Sequence, residues 1–142
     1  MRIGVDFDNT LVCYDGLFHR AAVQVGLMDD LEDVDADRRQ SKSAVKRQII
    51  SNHGETYWTE LQGYVYGVCI AEATPFAGTL DCLAALTAAG HELFIASHKT
   101  KVPYRGPKYD LHAAARAWLE KLGPFSRHDI GLSPDNVFEI FA

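Results

Sequence analysis

Arg2-Ile3-Gly4-Val5-Asp6-Phe7-Asp8-Asn9-Thr10-Leu11-Val12 decides how the rest of the chain is read. The apolar run Ile3-Gly4-Val5 reads as a buried strand, and Asp6 to Thr10 then falls where that strand gives way to a polar loop. Ligands in an open parallel sheet bind at the carboxyl ends of the strands. Two acids delivered there with one residue between them, Asp6 and Asp8, are therefore the first candidates for chemistry.

Outward from that strand the chain turns helical. Leu17, Phe18, Ala21, Ala22 and Val25 recur at helical spacing within residues 14–26, with Gly26 as the stop. An acidic stretch from Asp29 to Asp37, turning basic at Arg38-Arg39, reads as a solvated loop or helix face. A second helix is expected over Ser43–Ser51 and a third over Thr56–Val68. Tyr57, Trp58, Tyr64 and Tyr66 are dense in the third and are read first as core.

From Pro75 the pattern is turn, helix, glycine stop and strand. Leu80, Leu83, Leu86 and Ala89 lie on one helical face, Gly90 closes the helix, and Leu93-Phe94-Ile95-Ala96 makes a buried strand ending at Ser97. A strand, a long insert, a helix and a second strand imply a parallel pair joined by a crossover. A proline- and glycine-rich loop, 101–109, leads to an amphipathic helix over Asp110–Leu122, and Val137–Phe141 alternates as a third strand whose edge is open to pairing.

Composition limits the function classes. The chain has 142 residues, 47% of them hydrophobic, enough for one compact core with an insertion and too apolar for disorder. Its formal charge of −5, without a long basic run, argues against nucleic acid as a partner. Cys13, Cys69 and Cys82 form no C-x-x-C pair, so neither a disulfide framework nor a zinc knuckle is expected, and a reducing cytoplasm is. No apolar run reaches the length of a membrane span, and the start has no signal-peptide pattern, so no membrane association is expected. The six histidines lack metal-protease spacing, and neither a G-x-x-x-x-G-K-[ST] nor a G-x-G-x-x-G motif is present.

The pattern D-x-D-x-T-[LV] after a hydrophobic strand, with a serine closing a second one, resembles motifs I and II of the haloacid dehalogenase superfamily. The resemblance implies an α/β protein with a Rossmannoid core, a parallel sheet, and a helical cap inserted after the first strand. On that pattern residues 1–13 and 74–142 form the core and 14–73 the cap. The insert, about sixty residues, is too long for a bare loop. Its residues Tyr14, His19 and Arg20 are candidates for substrate contact.

The same resemblance implies the activity. Asp6 would attack the phosphorus of a small phosphorylated metabolite. Asp8 would protonate the leaving oxygen and later activate water, with its main-chain carbonyl helping Asp6 hold Mg²⁺. Ser97 would bond the transferring phosphoryl, with Asn9, Thr10 and His98 as further phosphate-binding candidates. A lysine balances the charge in such proteins. Lys99, Lys101 and Lys108 are available, and Lys108 is placed first because its loop is proline-restrained and leads into a helix.

Relatives also carry a later hydrophobic strand ending in acids that complete the metal shell. The acids after Ser97 are Asp110, Glu120, Asp129, Asp135 and Glu139, and none follows a hydrophobic strand in that pattern. A truncated form or an incomplete site is therefore expected. The two readings that follow are an Mg²⁺-dependent phosphatase and an impaired or non-catalytic relative that binds or serves structure. A receiver-type phosphoacceptor module also uses an aspartate and Mg²⁺, but does not place D-x-D on its first strand.

Overall fold

The computed structural model describes residues 1–29 and 41–140, so most of the charged stretch 29–39, and Phe141 of the third strand, lie outside the described residues. Among these residues the fold is mixed α/β, with five α-helices and a small parallel sheet. The sheet joins β1 (Arg2–Val5), β4 (Glu92–His98) and β5 (Val137–Ile140) in the order β1-β4-β5. β1 runs parallel to β4 with Val5 opposite Ile95, and β5 runs parallel to β4 with Val137 opposite Ile95. The expected parallel pair is present, and β4 is its central strand.

β4 extends one residue past the expected end at Ser97, because its alternation continues. Leu93, Ile95 and Ser97 are buried on one face, and Lys99 just beyond the strand is buried too. β2 (Val12–Cys13) and β3 (Thr74–Pro75) form a separate antiparallel pair, Cys13 opposite Thr74. Two-residue strands are too short for periodicity to reveal. Their pairing, with the Phe76 N–H donating to the Leu11 carbonyl at 3.2 Å, ties together the two ends of the long insert.

Between those ends lie α1 (Leu17–Gln24), α2 (Lys42–His53) and α3 (Glu55–Gly67), closed by a 3-10 turn over Cys69–Glu72. Ser41 caps α2 by accepting from the Ala44 N–H. Gly54, at φ 101°, turns the chain from α2 directly into α3, a conformation that a side chain would strain. The helices bury Phe18, Val45, Ile49, Trp58, Leu61 and Val65 against one another, each large apolar side chain worth about 1.5–3 kcal/mol of transfer free energy. Phe18 packs on Trp58 and Tyr66 with ring centroids 5.2 and 5.8 Å away. Of the aromatics read as core, Trp58 is buried and Tyr64 and Tyr66 pack partly buried against the core, whereas Tyr57 is exposed.

α4 (Thr79–Ala88) and α5 (Leu111–Lys121) complete the helices. Asp110 caps α5 by accepting from the Ala113 N–H at 3.0 Å. Trp118 of α5 meets Phe7 edge-on at 5.6 Å and donates its Nε1–H to the Ala73 carbonyl at 2.8 Å. One side chain thus packs on the residue between Asp6 and Asp8 and fixes the end of the insert.

α3 approaches the loop after β4 more closely than a side chain permits. A Cβ on Gly63 would lie 2.7 Å from Pro103 Cβ, and one on Gly67 would lie 2.5 Å from Tyr109 Cβ. Helix and loop lock together along this glycine edge. No helix among the described residues is long and apolar enough to cross a membrane.

Candidate active site

Beyond β1 the backbone folds into a tight loop. The Phe7 carbonyl accepts from the N–H groups of Thr10, Leu11 and Val12 at 3.3, 3.0 and 3.2 Å, and Asn9 N–H donates to the Val12 carbonyl at 3.1 Å. Asn9 makes the reversal in the left-handed region, φ 60°, which asparagine tolerates better than most side chains. The loop holds Asp6 and Asp8 in different settings. Asp6 is exposed, one oxygen accepting from the Phe7 N–H at 2.8 Å, whereas Asp8 is turned inward.

Asp8 is the hub. Lys99 Nζ donates to its two carboxylate oxygens at 3.0 and 3.2 Å, and the Tyr14 hydroxyl donates to Oδ1. Lys99 is only 6% exposed, so its ammonium has left water and depends on what surrounds it. It lies 4.4 Å from the centroid of the Tyr66 ring and 5.5 Å from that of Phe7, within reach of both π faces. His112 Nε2 bonds the Lys99 carbonyl at 2.8 Å and holds the backbone from which the lysine reaches.

Tyr14 is buried, and burial first, then the charge of Asp8, pushes its hydroxyl far above the ordinary tyrosine value. It therefore serves as a fixed hydrogen-bond donor and not as a phenolate. Tyr66 is shifted upward by the same two causes in the same order. A second lysine, Lys42, donates to the Tyr66 hydroxyl at 2.6 Å.

Ser97 is buried on the face of β4 turned toward α5, where it lines a cavity of about 20 Å³ with Phe7, Lys99 and His112. Thr10 and His98 are exposed, Thr10 in the loop and His98 at the end of β4. Of the insert candidates, Tyr14 reaches Asp8, Arg20 is exposed, and His19 keeps a buried Nδ1 without a hydrogen-bond partner among the described residues.

The lysine beside the acid pair is Lys99. Lys108, placed first on sequence, lies exposed in the loop before α5, and Lys101 is exposed as well. Lys108 was favoured for its position ahead of a helix. The informative signal is the alternation Leu93, Ile95, Ser97, Lys99, which carries a lysine inward on the buried face of a strand. Tyr66, which walls Lys99, was read only as core; nothing in its spacing singles it out.

The later acids have other positions. Asp110 caps α5, and Asp129 is paired with Arg127 at 2.7 Å. In β5, the Glu139 backbone lies in register with Ser97. Among the described residues no group of three or more His, Cys, Asp or Glu side chains gathers to hold a metal. Asp6, exposed at the strand end, fits a Mg²⁺ ion that keeps several waters and takes one or two protein carboxylates with substrate phosphate oxygens. The Asp8 side chain is committed to Lys99 and Tyr14, which leaves its main-chain carbonyl as the contribution this residue can make.

No family model matches the chain, and neither a curated protein nor a solved structure matches it.

Proposed function

We propose that this protein is a haloacid dehalogenase-like phosphohydrolase with a Rossmannoid core, acting on a small phosphate monoester through an aspartyl-phosphate on Asp6. The observation that carries the reading is the contact of Lys99 with Asp8 at the carboxyl end of the parallel pair β1-β4. A D-x-D loop alone could cap a turn. A buried lysine drawn onto its second acid from just beyond the next strand supports the reading, because it is a cation that can offset the charge of a phosphate dianion.

In this reading the Asp6 carboxylate attacks phosphorus, a new O–P bond forms, and the bond from phosphorus to the leaving alcohol oxygen breaks. Asp8, which must first take up a proton as the phosphate charge draws on Lys99, passes that proton to the leaving oxygen. It then takes one from the water that attacks the phosphoenzyme, returning Asp6 and releasing inorganic phosphate. Tyr14 and Lys99 hold Asp8 in the orientation that both transfers need. Lys99 offsets negative charge where water is largely excluded. Ser97, Asn9, Thr10 and His98 bond phosphoryl oxygens. Asp6 and the Asp8 carbonyl would hold Mg²⁺, which when bound would neutralise charge on the transferring group.

The helices of the insert act as a cap over this loop, and Tyr14 and Tyr66 are its contribution to the wall around Asp8 and Lys99. Three unpaired cysteines suit a reducing cytoplasm. Turnover of an aryl phosphate with Mg²⁺ tests the function, with Asp6→Asn as control. Metal-dependent release of phosphate that disappears in the variant is expected; equal background in both overturns the reading.

A further inference from the structure

Lys99 rests on an aromatic ring as well as on Asp8. Its Nζ stands over the Tyr66 ring, 4.4 Å from the centroid, and 5.5 Å from that of Phe7. Among the described residues Asp8 supplies the one carboxylate bonded to it. A lysine ammonium is a point charge on a flexible four-carbon stem, so a single such partner leaves its position loosely set. The negative face of a ring can supply the second restraint, and that attraction grows as the cation leaves water. At 6% exposure Lys99 meets the condition.

The ring is itself held, and its holders come from the insert. Tyr14 and Phe18 meet it edge-on, with centroids 5.3 and 5.8 Å away and interplanar angles of 72° and 85°. Lys42, the first residue of α2, donates to its hydroxyl at 2.6 Å, with Nζ 5.3 Å from the centroid. Two ammonium groups therefore flank one ring. The charge of Asp8 offsets both. It bonds Lys99 directly, and it supports the Lys42 ammonium against the burial that lowers that group below its ordinary value.

Resting on the phosphohydrolase reading, we propose that Tyr66 is a positioning residue of the reaction: its ring, oriented by Lys42 through the hydroxyl, holds the Lys99 ammonium where that group meets both Asp8 and the transferring phosphoryl. The insert then sets the geometry of the reacting groups and does more than cover them. Phe7 lies farther from Nζ and leaves most of this restraint to Tyr66.

Turnover of an aryl phosphate with Mg²⁺ is measured in the full chain with Tyr66→Phe, and with the same position carrying phenylalanine that bears one, two or three ring fluorines. Fluorine draws electron density off the ring face at nearly constant volume, a change that a role in packing alone would not register. The kcat should fall stepwise with each fluorine, to about tenfold below that of Tyr66→Phe for three. Lys42→Met and Tyr66→Phe should each lower kcat by about threefold, and combining them should cost little more than either alone, because both remove the same contact. Should Lys42→Met not fold, the fluorinated series decides by itself. A kcat unmoved by fluorination, or losses from Lys42→Met and Tyr66→Phe that add in full, overturns this inference and leaves the phosphohydrolase reading standing. Absence of Asp6-dependent phosphate release from the unaltered chain overturns both.

Discussion

Lys99 Nζ and Asp8 Oδ2 are 3.0 Å apart although 91 residues separate them in the chain. The parallel register of β1 and β4 brings them together, and the Phe7 and Tyr66 rings wall the lysine from water. The two partners differ in exposure, 6% for the lysine side chain and 28% for the aspartate. Removing one is therefore not equivalent to removing the other.

Asp8→Ala leaves a buried ammonium without its counter-ion. Breaking a fully buried pair this way costs about 3–5 kcal/mol, and partial hydration of the site reduces that to about 2 kcal/mol, or roughly 6 °C in Tm. Lys99→Met keeps the volume, places a thioether between two rings, and leaves Asp8 with Tyr14 and solvent. Its stability should change by less than about 1 kcal/mol while phosphate release falls about 100-fold or more. Thermal melts of both variants check this. Equal destabilisation would contradict the account of the pair.

Tyr14→Phe deletes the hydroxyl that holds Asp8 and should lower kcat by about 10- to 100-fold through misplacement of the acid. It should also change the alkaline limit of stability. The folded Tyr14 hydroxyl titrates well above 10.0, the ordinary value that it regains on unfolding. Above about pH 10 the unfolded chain has thus lost a proton that the folded chain keeps, and stability falls as pH rises. The contribution is fully present below that pH. Phenylalanine has no proton to lose, so denaturation midpoints of Tyr14→Phe should decline less steeply above about pH 10 than those of the wild type. Parallel declines would show that Tyr14 ionises freely in the fold.

Gly67→Ala tests the lock between α3 and the loop after β4. In an open helix the change would stabilise by up to about 1 kcal/mol. Here the new methyl meets the Tyr109 side chain at its base, which cannot swing aside as a long side-chain tip would. A net loss of about 1–2 kcal/mol is expected, together with reduced turnover, because the displaced loop starts at Lys99. A rise in Tm would show that helix and loop are not in close contact.

Much of this architecture can be read from local pattern. Apolar runs located β1 and β4, and apolar spacing with glycine stops located the helices to within a few residues, because amphipathic faces and stops are written in neighbouring positions. The site was only half visible. Asp6 and Asp8 stand out because their spacing is local. The partners of Asp8 arrive from Tyr14, after a loop, and from Lys99, after the second strand, and only folding relates them. Lys108 is favoured by its proline-restrained loop and the helix that follows, whereas strand alternation carried through Ser97 points inward to Lys99. β2 and β3 escaped notice because two residues hold no period, yet they close the insert at its base.

Asp6 is the nucleophile of the proposed reaction. Intact-protein mass spectrometry of acid-quenched protein, taken within a single turnover of an aryl phosphate in Mg²⁺, measures this directly. One phosphoryl adduct per chain is predicted, mapping to the peptide that contains Asp6 and absent from Asp6→Asn. Metal-dependent release of phosphate with no adduct on Asp6, or an adduct that persists in Asp6→Asn, would contradict it.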